Sequence, residues 1–189
     1  MTTTPRKKEE MRKAALRSRD QLSQEERAEK SFAICQTIME DEGFLDARGV
    51  HVYLPIGSEV DIRPLISLCW DLGKQVGLMR VQADGATEQY LIERSTNFQT
   101  GHLGILEPVE AELFDMEVCD LVLVPLVAAD TECNRIGYGK GYYDQFLSQY
   151  PRPTIGTAFD VQIVPELPVD DLDITLDKII TETRILECS

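Results

Sequence analysis

The sequence LVLVPLVAADTECNRIGYGKGYYDQFL, residues 121–147, decides the fold that we predict for this chain. Its first part, Leu121–Leu126, is a continuous run of leucine and valine interrupted by one proline, which is typical of a strand buried on both faces. A loop rich in glycine follows, and Tyr142–Gln149 has the pattern of a helix. A buried strand, a loop and a helix in this order form the repeating unit of an α/β fold.

Helices are also predicted near the N-terminus. Residues 6–22 have the spacing of a weakly amphipathic helix, with mostly polar side chains and a few apolar ones. Ser23 and Glu26 match a capping box, so we expect a second helix to begin there and to continue to about Met39. We expect the first four or five residues to be disordered.

The rest of the chain alternates between strands and helices. Asp61 is expected to cap a helix over residues 63–72, a turn is expected at Ala83–Gly85, and residues 95–117 are expected to be irregular. The predicted strands lie at Val50–Leu54, Val76–Val81, Glu88–Ile92, Thr154–Phe159 and Lys178–Thr181. We therefore predict an α/β fold, a single domain over residues 1–189 with a mostly parallel central sheet flanked by helices.

The charge distribution restricts the partners of this chain. It carries 19 Lys and Arg against 33 Asp and Glu, a formal net charge of −14, and nine of the cations fall in residues 1–30. So negative a chain is unsuited to duplex nucleic acid, whose binding depends on neutralising phosphates, and to anionic membrane surfaces. We expect no nucleic-acid partner and no membrane partner, and we expect a monomer.

Cysteine and histidine usage points to a reducing compartment. The five cysteines are odd in number and lack CxxC spacing, so neither a disulfide framework nor a zinc site is predicted. Only two histidines are present, too few for a transition-metal site built on histidine. No hydrophobic segment follows the basic N-terminal residues, so we expect no secretory signal. Together these features predict a cytoplasmic protein.

The glycine-rich loop has the features of an anion site. Gly137, Gly139 and Gly141 stand at alternate positions and are accompanied by two cations, Arg135 and Lys140. Glycine lets a backbone turn with positive φ and come close to a ligand. The loop follows a strand and precedes a helix N-terminus, where unpaired N–H groups favour phosphate. We therefore expect phosphate binding, with a tight structural turn as the alternative.

Two familiar nucleotide motifs do not match. The GxxxxGK[ST] motif fails because Lys140 is followed by Gly141, and the GxGxxG motif fails because the spacing here is GxGxG. Asp144, in the first turn of the predicted helix, is suited to hold a magnesium ion that bridges phosphates. The alternative for Asp144 is an acid that only favours the helix dipole.

The sequence NRIGYGKGYYDQFL, residues 134–147, is similar to the signature of the 5-formyltetrahydrofolate cyclo-ligases (methenyltetrahydrofolate synthetases). The resemblance extends over nearly the whole chain and is weakest over residues 70–100. Its further segments, in chain order, are Lys8 with Arg12, Leu22–Ser23 with Glu26–Arg27, Tyr53–Pro55 with Glu59, Gly104–Ile105 with Glu107–Pro108, Leu121–Pro125, Ile155–Phe159, Gln162, Pro165–Pro168, Asp173 and Asp177–Glu182. The resemblance implies the NagB/RpiA/CoA-transferase-like fold.

The resemblance implies an ATP-dependent ligase with magnesium as cofactor. Such enzymes convert 5-formyltetrahydrofolate, which is often polyglutamylated, into 5,10-methenyltetrahydrofolate, ADP and phosphate. The formyl oxygen is phosphorylated first, because it is otherwise a poor leaving group, and the ring then closes. Phosphoryl transfer depends mostly on positioning and charge neutralisation, and a glycine-rich loop with two cations can supply both.

By position, the resemblance gives each candidate residue a role. The expected ATP contacts are Lys8, Arg12, Arg135, Gly137, Gly139, Lys140, Gly141, Tyr142 and Tyr143, of which Arg135 and Lys140 are also expected to be catalytic. The expected substrate contacts are Arg12, Leu54, Glu59, Tyr138 and Tyr142, although position 138 varies within the family. Asp144 and Asp173 are the expected magnesium ligands.

The same residues also have structural interpretations. Lys8 and Arg12 would otherwise belong to a solvated basic helix face, the tyrosines would pack against the sheet, and Asp173 would lie in an exposed acidic loop. Two other functions compete with the cyclo-ligase: a relative that binds folate or nucleotide without turnover, and a different small-metabolite phosphotransferase.

Overall fold

The computed structural model describes residues 4–82, 84–101 and 104–188. Within these ranges the helices are α1 (Thr4–Asp20), α2 (Gln24–Met39), α3 (Glu42–Asp46), α4 (Arg63–Asp71) and α5 (Tyr142–Gln149). The first six strands are β1 (Gly49–Val52), β2 (Gln75–Val81), β3 (Thr87–Leu91), β4 (Asn97–Thr100), β5 (Leu106–Val109) and β6 (Cys119–Pro125). The others are β7 (Ala128–Asp130), β8 (Arg135–Ile136), β9 (Thr154–Thr157), β10 (Ile163–Val164), β11 (Lys178–Ile180) and β12 (Ile185–Glu187).

The central sheet is mostly parallel, as predicted. Its strand order is β12-β11-β9-β6-β1-β2-β3, and β11, β9, β6, β1 and β2 pair in parallel. The edge strands β3 and β12 are antiparallel to their neighbours. Helices pack on both faces of the sheet, so the predicted α/β class is confirmed.

Strand β6 shows why the apolar run decides the fold. Leu121 and Leu123 pack into the core under α2 and α4, whereas Val122 and Val124 pack on the opposite face with Phe146 of α5. Because side chains alternate along a strand, both faces of β6 are buried over Leu121–Val124, and these four positions are all apolar.

The connections place a crevice between β1 and β6. The chain leaves β1 through α4 to reach β2 on one side, and leaves β6 through α5 to reach β9 on the other. The two helices lie on opposite faces of the sheet. Adjacent parallel strands whose connections diverge form a topological switch point, which is where ligands bind in open α/β sheets.

Helix α1 docks on a small second sheet that the sequence analysis missed. Strands β10, β7 and β8 form this sheet, with order β10-β7-β8. Met11, Ala15 and Leu16 of α1 pack against a cluster that includes Ile136 of β8. The basic N-terminal helix is therefore held against the segment that follows β6.

Most predicted elements are confirmed to within a few residues, and the exceptions are short. Residues 95–117 are irregular only in part: β4 and β5 pair there as an antiparallel hairpin, residues 110–117 form no helix or strand, and residues 102 and 103 lie outside the described residues. Strand β12 and helix α3 were not predicted. The cap of α4 was predicted one residue early, because Ile62 is the N-cap, although Asp61 still accepts a hydrogen bond from Arg63 N at 3.1 Å.

The N-terminal residues that were expected to be disordered and the expected turn at Ala83–Gly85 lie partly outside the described residues. Helix α1 begins at Thr4, so the expected disorder does not extend to residues 4 and 5, and residues 1–3 lie outside the described residues. Ala83 of the predicted turn also lies outside them, while Gly85 N donates to Gln82 O at 2.9 Å.

A disulfide corrects the cysteine prediction. Cys133 and Cys188 are bonded, with a sequence separation of 55 and Cα atoms 6.0 Å apart. The other cysteines, Cys35, Cys69 and Cys119, are free and buried. Odd number and irregular spacing concealed the pair, because the two partners meet only through the docking of the C-terminal strand. In the described part of the chain, every helix is too short or too polar to span a bilayer.

Candidate active site

The predicted site residues lie at the carboxyl ends of β1 and β6. Residues 53–60 follow β1, residues 126–141 follow β6, and α1 runs beside both. The topological switch point therefore brings together three segments that are far apart in sequence.

Arg12 fixes the glycine-rich loop to α1. Its Nε donates to the carbonyl oxygen of Gly137 at 2.8 Å. Gly139 has φ +85°, and a Cβ atom built on it would lie 3.0 Å from an Arg12 nitrogen. Glycine is required at 139 for two reasons, since a larger residue would strain the backbone and would press on the guanidinium.

The N-terminus of α5 faces the loop without a cap. Gly141 is the N-cap residue, with φ +71° and no side-chain hydrogen bond to the first turn. Lys140 beside it is exposed and forms no hydrogen bond or ion pair with the described residues. Unpaired N–H groups and a free ammonium together suit an anion such as phosphate.

Arg135 is buried and paired with Asp144. Its Nη2 lies 2.8 Å from Asp144 Oδ1, only 4% of its side chain is exposed, and its Nε has no hydrogen-bond partner among the described residues. Asp144 Oδ1 also accepts a hydrogen bond from Ile174 N at 3.2 Å. Asp144 therefore lies next to the segment that carries Asp173, as the predicted metal site requires.

Lys8 is paired with the acidic loop. Its Nζ lies 2.7 Å from Asp170 Oδ2 and also contacts Asp173. Burial lowers the pKa of Lys8, but the hydrogen bonds to the two carboxylates outweigh it and leave the pKa raised. Each predicted magnesium ligand is thus neutralised by a predicted phosphate-binding cation when no ligand is bound.

The two carboxylates fit magnesium only if a ligand supplies further oxygens. Among the described residues, no three His, Cys, Asp or Glu side chains converge as a metal site. Magnesium usually binds one or two carboxylates and completes its shell with water and substrate phosphates. The donor set of Asp144 and Asp173 fits that mode.

Glu59 is a buried carboxylate in the segment that connects β1 to α4. It is 9% exposed, and its Oε2 accepts a hydrogen bond from Ile56 N at 2.9 Å. Burial raises the pKa of the Glu59 carboxyl, while the Ile56 bond and the charge of Arg19 lower it. Leu54 packs partly buried against the core on the same segment. A carboxylate held on an apolar floor suits a flat ligand with N–H donors.

The two adjacent tyrosines begin helix α5. Tyr142 and Tyr143 are both partly buried, and Tyr143 packs edge-on to Phe146, with ring centroids 6.3 Å apart. Burial raises the pKa of Tyr143, and so does its proximity to Glu59. Tyr143 therefore packs against the sheet, which was the structural alternative for the two tyrosines, and it also lies near Glu59 in the candidate site.

Arg19 is a site residue that the sequence analysis missed. It is 2% exposed, its Nε donates to Ser58 Oγ at 2.9 Å, and its Nη2 donates to the Tyr138 hydroxyl at 2.9 Å. Its spacing could have revealed it, because Arg19 continues the series of Met11 and Ala15 at intervals of four on the buried face of α1.

Comparison with known proteins identifies the family. Residues 4–182 match the 5-formyltetrahydrofolate cyclo-ligase family. The chain belongs to that family. The probable cyclo-ligase of Schizosaccharomyces pombe is 29% identical over 83% of this chain and 86% of its own length, and the Escherichia coli K12 cyclo-ligase is 31% identical over 75% and 81%.

Solved structures of synthetases agree with the cyclo-ligase family. The NMR structure of the Aquifex aeolicus 5,10-methenyltetrahydrofolate synthetase superposes with a TM-score of 0.86 at 34% identity, covering 95% of this chain and 92% of that chain. The Mycoplasma pneumoniae synthetase superposes with a TM-score of 0.73 at 27% identity, covering 93% and 98%. The predicted family is confirmed, and the segment matching the cyclo-ligase family includes every candidate site residue.

Proposed function

We propose that the crevice between β1 and β6 binds ATP and 5-formyltetrahydrofolate side by side and catalyses their conversion to 5,10-methenyltetrahydrofolate, ADP and phosphate. The proposal rests on two features of the structure that lie side by side. In a chain of the cyclo-ligase family, an uncapped helix N-terminus with nearby cations lies beside a buried carboxylate at the switch point of the sheet.

The loop side of the crevice would hold the ATP phosphates. The N–H groups of residues 137–141 and the first turn of α5 offer donors, and Lys140 supplies a charge that no described residue neutralises. Arg135 and Lys8 are held by Asp144 and by the acidic loop. Phosphates can take over these cations and release the two carboxylates. Because the loop backbone is already fixed by Arg12, little reorganisation is needed.

Asp144 and Asp173 would hold a magnesium ion against the phosphates. When bound, such an ion neutralises charge on the phosphoryl group that is transferred. Asp144 would then lose its ion pair with Arg135, and Asp173 its ion pair with Lys8. The magnesium ion would replace both cations as the counter-charge of the two carboxylates.

The Glu59 side of the crevice would hold the pterin ring. Its carboxylate can accept the two N–H donors on one edge of that ring, and Leu54 offers an apolar surface for the ring face. Tyr138 of the loop, which accepts a hydrogen bond from Arg19, and Tyr142 of the first turn of α5 would contact the substrate where the two sides of the crevice meet. The ring would therefore present its formyl group toward the loop.

The reaction then proceeds in two steps. The formyl oxygen attacks the γ-phosphorus of ATP, the bond to the β-phosphate oxygen breaks, and ADP leaves. The neighbouring N10 attacks the activated formyl carbon, the carbon–oxygen bond breaks, inorganic phosphate leaves with the former formyl oxygen, and N10 loses its proton. Arg135 and Lys140 would neutralise the charge on the phosphoryl group during the first step.

The test is growth of methenyl-folate absorbance when the protein is mixed with 5-formyltetrahydrofolate, ATP and magnesium. We expect Lys140→Ala to lower kcat/KM by at least about a hundredfold, because a charged contact to the transferred group is lost. Lys7→Ala is the matched control, since Lys7 is likewise exposed and unpaired among the described residues, and it should retain activity.

Other outcomes would support different functions. Absence of absorbance growth in the parent protein would overturn the proposal. ADP release without absorbance growth would favour another phosphotransferase, and folate binding without ATP consumption would favour a relative that only binds.

A further inference from the structure

The side chain of Arg19 has an unusual environment. Its guanidinium is buried, yet it forms no ion pair within the described residues, and its Nη1 has no hydrogen-bond partner among them. Its two hydrogen bonds go to the neutral hydroxyls of Ser58 and Tyr138. The nearby Glu59 carboxylate offsets part of this charge, but a buried N–H donor that is left unsatisfied still destabilises a fold, so its retention calls for a ligand.

The position of Arg19 connects the two sides of the crevice. Ser58 immediately precedes Glu59, and Tyr138 lies within the glycine-rich loop. The Ser58 hydroxyl donates to Asp20, which fixes it as the acceptor for Arg19 Nε. The Arg19 guanidinium carbon also lies 5.9 Å from the centroid of the Tyr138 ring. The Arg19 guanidinium is thus held between the segment that carries Glu59 and the glycine-rich loop, with its Nη1 still available to a ligand.

The chemistry of the substrate identifies what lies at that position. If Glu59 accepts the N3 proton and the 2-amino group, the next group around the pterin ring is the 4-oxo group, and the formyl group on N5 follows it. We infer that Arg19 contacts the substrate directly, donating its free Nη1 hydrogen bond to the formyl oxygen that is phosphorylated. This inference rests on the proposed function and adds a specificity-determining residue to it.

The contact would discriminate between folates. 5-Methyltetrahydrofolate has a methyl group on N5 and lacks this oxygen, so it would leave the buried guanidinium unpaired. A site built to bond a substrate oxygen rejects an analogue that lacks it. The parent protein should therefore bind 5-formyltetrahydrofolate more tightly than 5-methyltetrahydrofolate.

The experiment compares Arg19→Met with Arg17→Met, its matched control, because Arg17 lies exposed on the same turn of α1. We expect Arg19→Met to lower kcat/KM for 5-formyltetrahydrofolate by at least about tenfold, with the KM for ATP changed by less than about twofold. By calorimetric titration, its preference for the formyl over the methyl compound should fall by at least about fivefold. Arg17→Met should match the parent in each measurement.

Thermal unfolding separates a binding role from a structural one. Because Arg19→Met removes a buried donor that lacks a partner, but also a positive charge near Glu59, its Tm should stay close to that of the parent. A lower Tm with equal losses of affinity for both folates would show a structural role and overturn the inference. Retention of kcat/KM and of discrimination in an active protein would overturn the inference alone, whereas an inactive parent would overturn the proposed function.

Discussion

At the residue scale, Gly139 combines a backbone conformation that favours glycine with close contact to Arg12, a residue of the proposed ATP site. Its φ of +85° suits glycine, and a side chain there would meet the Arg12 guanidinium at 3.0 Å. Gly85 has nearly the same φ, +88°, but no atom of the part of the chain that the structure describes lies within 4 Å of its Cβ position. The two glycines thus share the backbone requirement and differ in the contact.

This difference gives a prediction. Gly139→Ala and Gly85→Ala should each lower the free energy of unfolding by about 1 kcal/mol, because alanine disfavours positive φ. Only Gly139→Ala should also weaken ATP binding, by about tenfold or more, because it displaces Arg12 from the loop. Urea unfolding and ATP titration measure the two effects. Equal ATP affinities for the two variants would show that the Arg12 contact is not needed.

At the element scale, the disulfide ties β12 to the turn before β8. Cys133 N donates to Asp130 O, and Leu176 N donates to Cys133 O at 3.1 Å, so Cys133 lies in a well-bonded turn. Cross-linking residues 55 apart restricts the unfolded chain and so stabilises the folded one.

We predict that Cys188→Ser lowers the free energy of unfolding by about 2–4 kcal/mol when the parent is oxidised. Adding a thiol reductant to the parent should give a similar loss, and adding it to the variant should change nothing further. Unfolding curves with and without reductant measure this, together with mass spectrometry of the unreduced protein. If reductant leaves the free energy of unfolding of the parent unchanged, Cys133 and Cys188 are not bonded in solution.

Elements with local signals could be predicted from the sequence, and elements that depend on distant partners could not. Helix α2 begins after Ser23 as predicted, because its capping box is local: Glu26 N donates to Ser23 Oγ at 3.1 Å and Ser23 N donates to Glu26 Oε2 at 2.7 Å. Strands β8 and β10, of two residues each, exist only because they pair with β7. Such short pairings leave no periodic pattern.

The same distinction applies to the site. The cations of the loop stood out in an acidic chain, but their pairing with Asp144 and the acidic loop required the docking of separate segments. Arg19 was hidden among nine cations of the first 30 residues, because its burial depends on Ser58 and the loop.

At the scale of the whole molecule, α1 supplies positive charge to a crevice in an otherwise acidic chain. The chain has a net charge of −14 while both ligands of a cyclo-ligase are anionic. Docking α1 on the second sheet brings Lys8, Arg12 and Arg19 to the crevice, where a positive local field can attract phosphates despite the acidic surface. The monomeric state and the cytoplasmic location stay predictions.

The global stability should depend on pH through His51, which lies in the middle of the sheet. His51 is fully buried, its Nε2 lies 2.8 Å from Gln89 Oε1, and its ring centroid is 4.5 Å from that of Phe146. Burial lowers the pKa of His51 to about 4, and the hydrogen bond to Gln89 offsets only part of this. The ordinary pKa of an unfolded histidine is about 6.5.

Between these two pKa values the unfolded chain binds the proton and the folded chain does not, so stability is full above about pH 6.5 and falls as the pH drops toward 4. From pH 7 to pH 5 we expect the His51 contribution to the free energy of unfolding to fall by about 2 kcal/mol. Glu59 acts in the opposite direction, because its folded pKa is raised. Its effect cancels when the parent is compared with His51→Leu, which keeps Glu59. Urea unfolding of both proteins at pH 7 and pH 5 measures the difference, and equal losses in the two proteins would show that the His51 side chain does not set the acid limit of this fold.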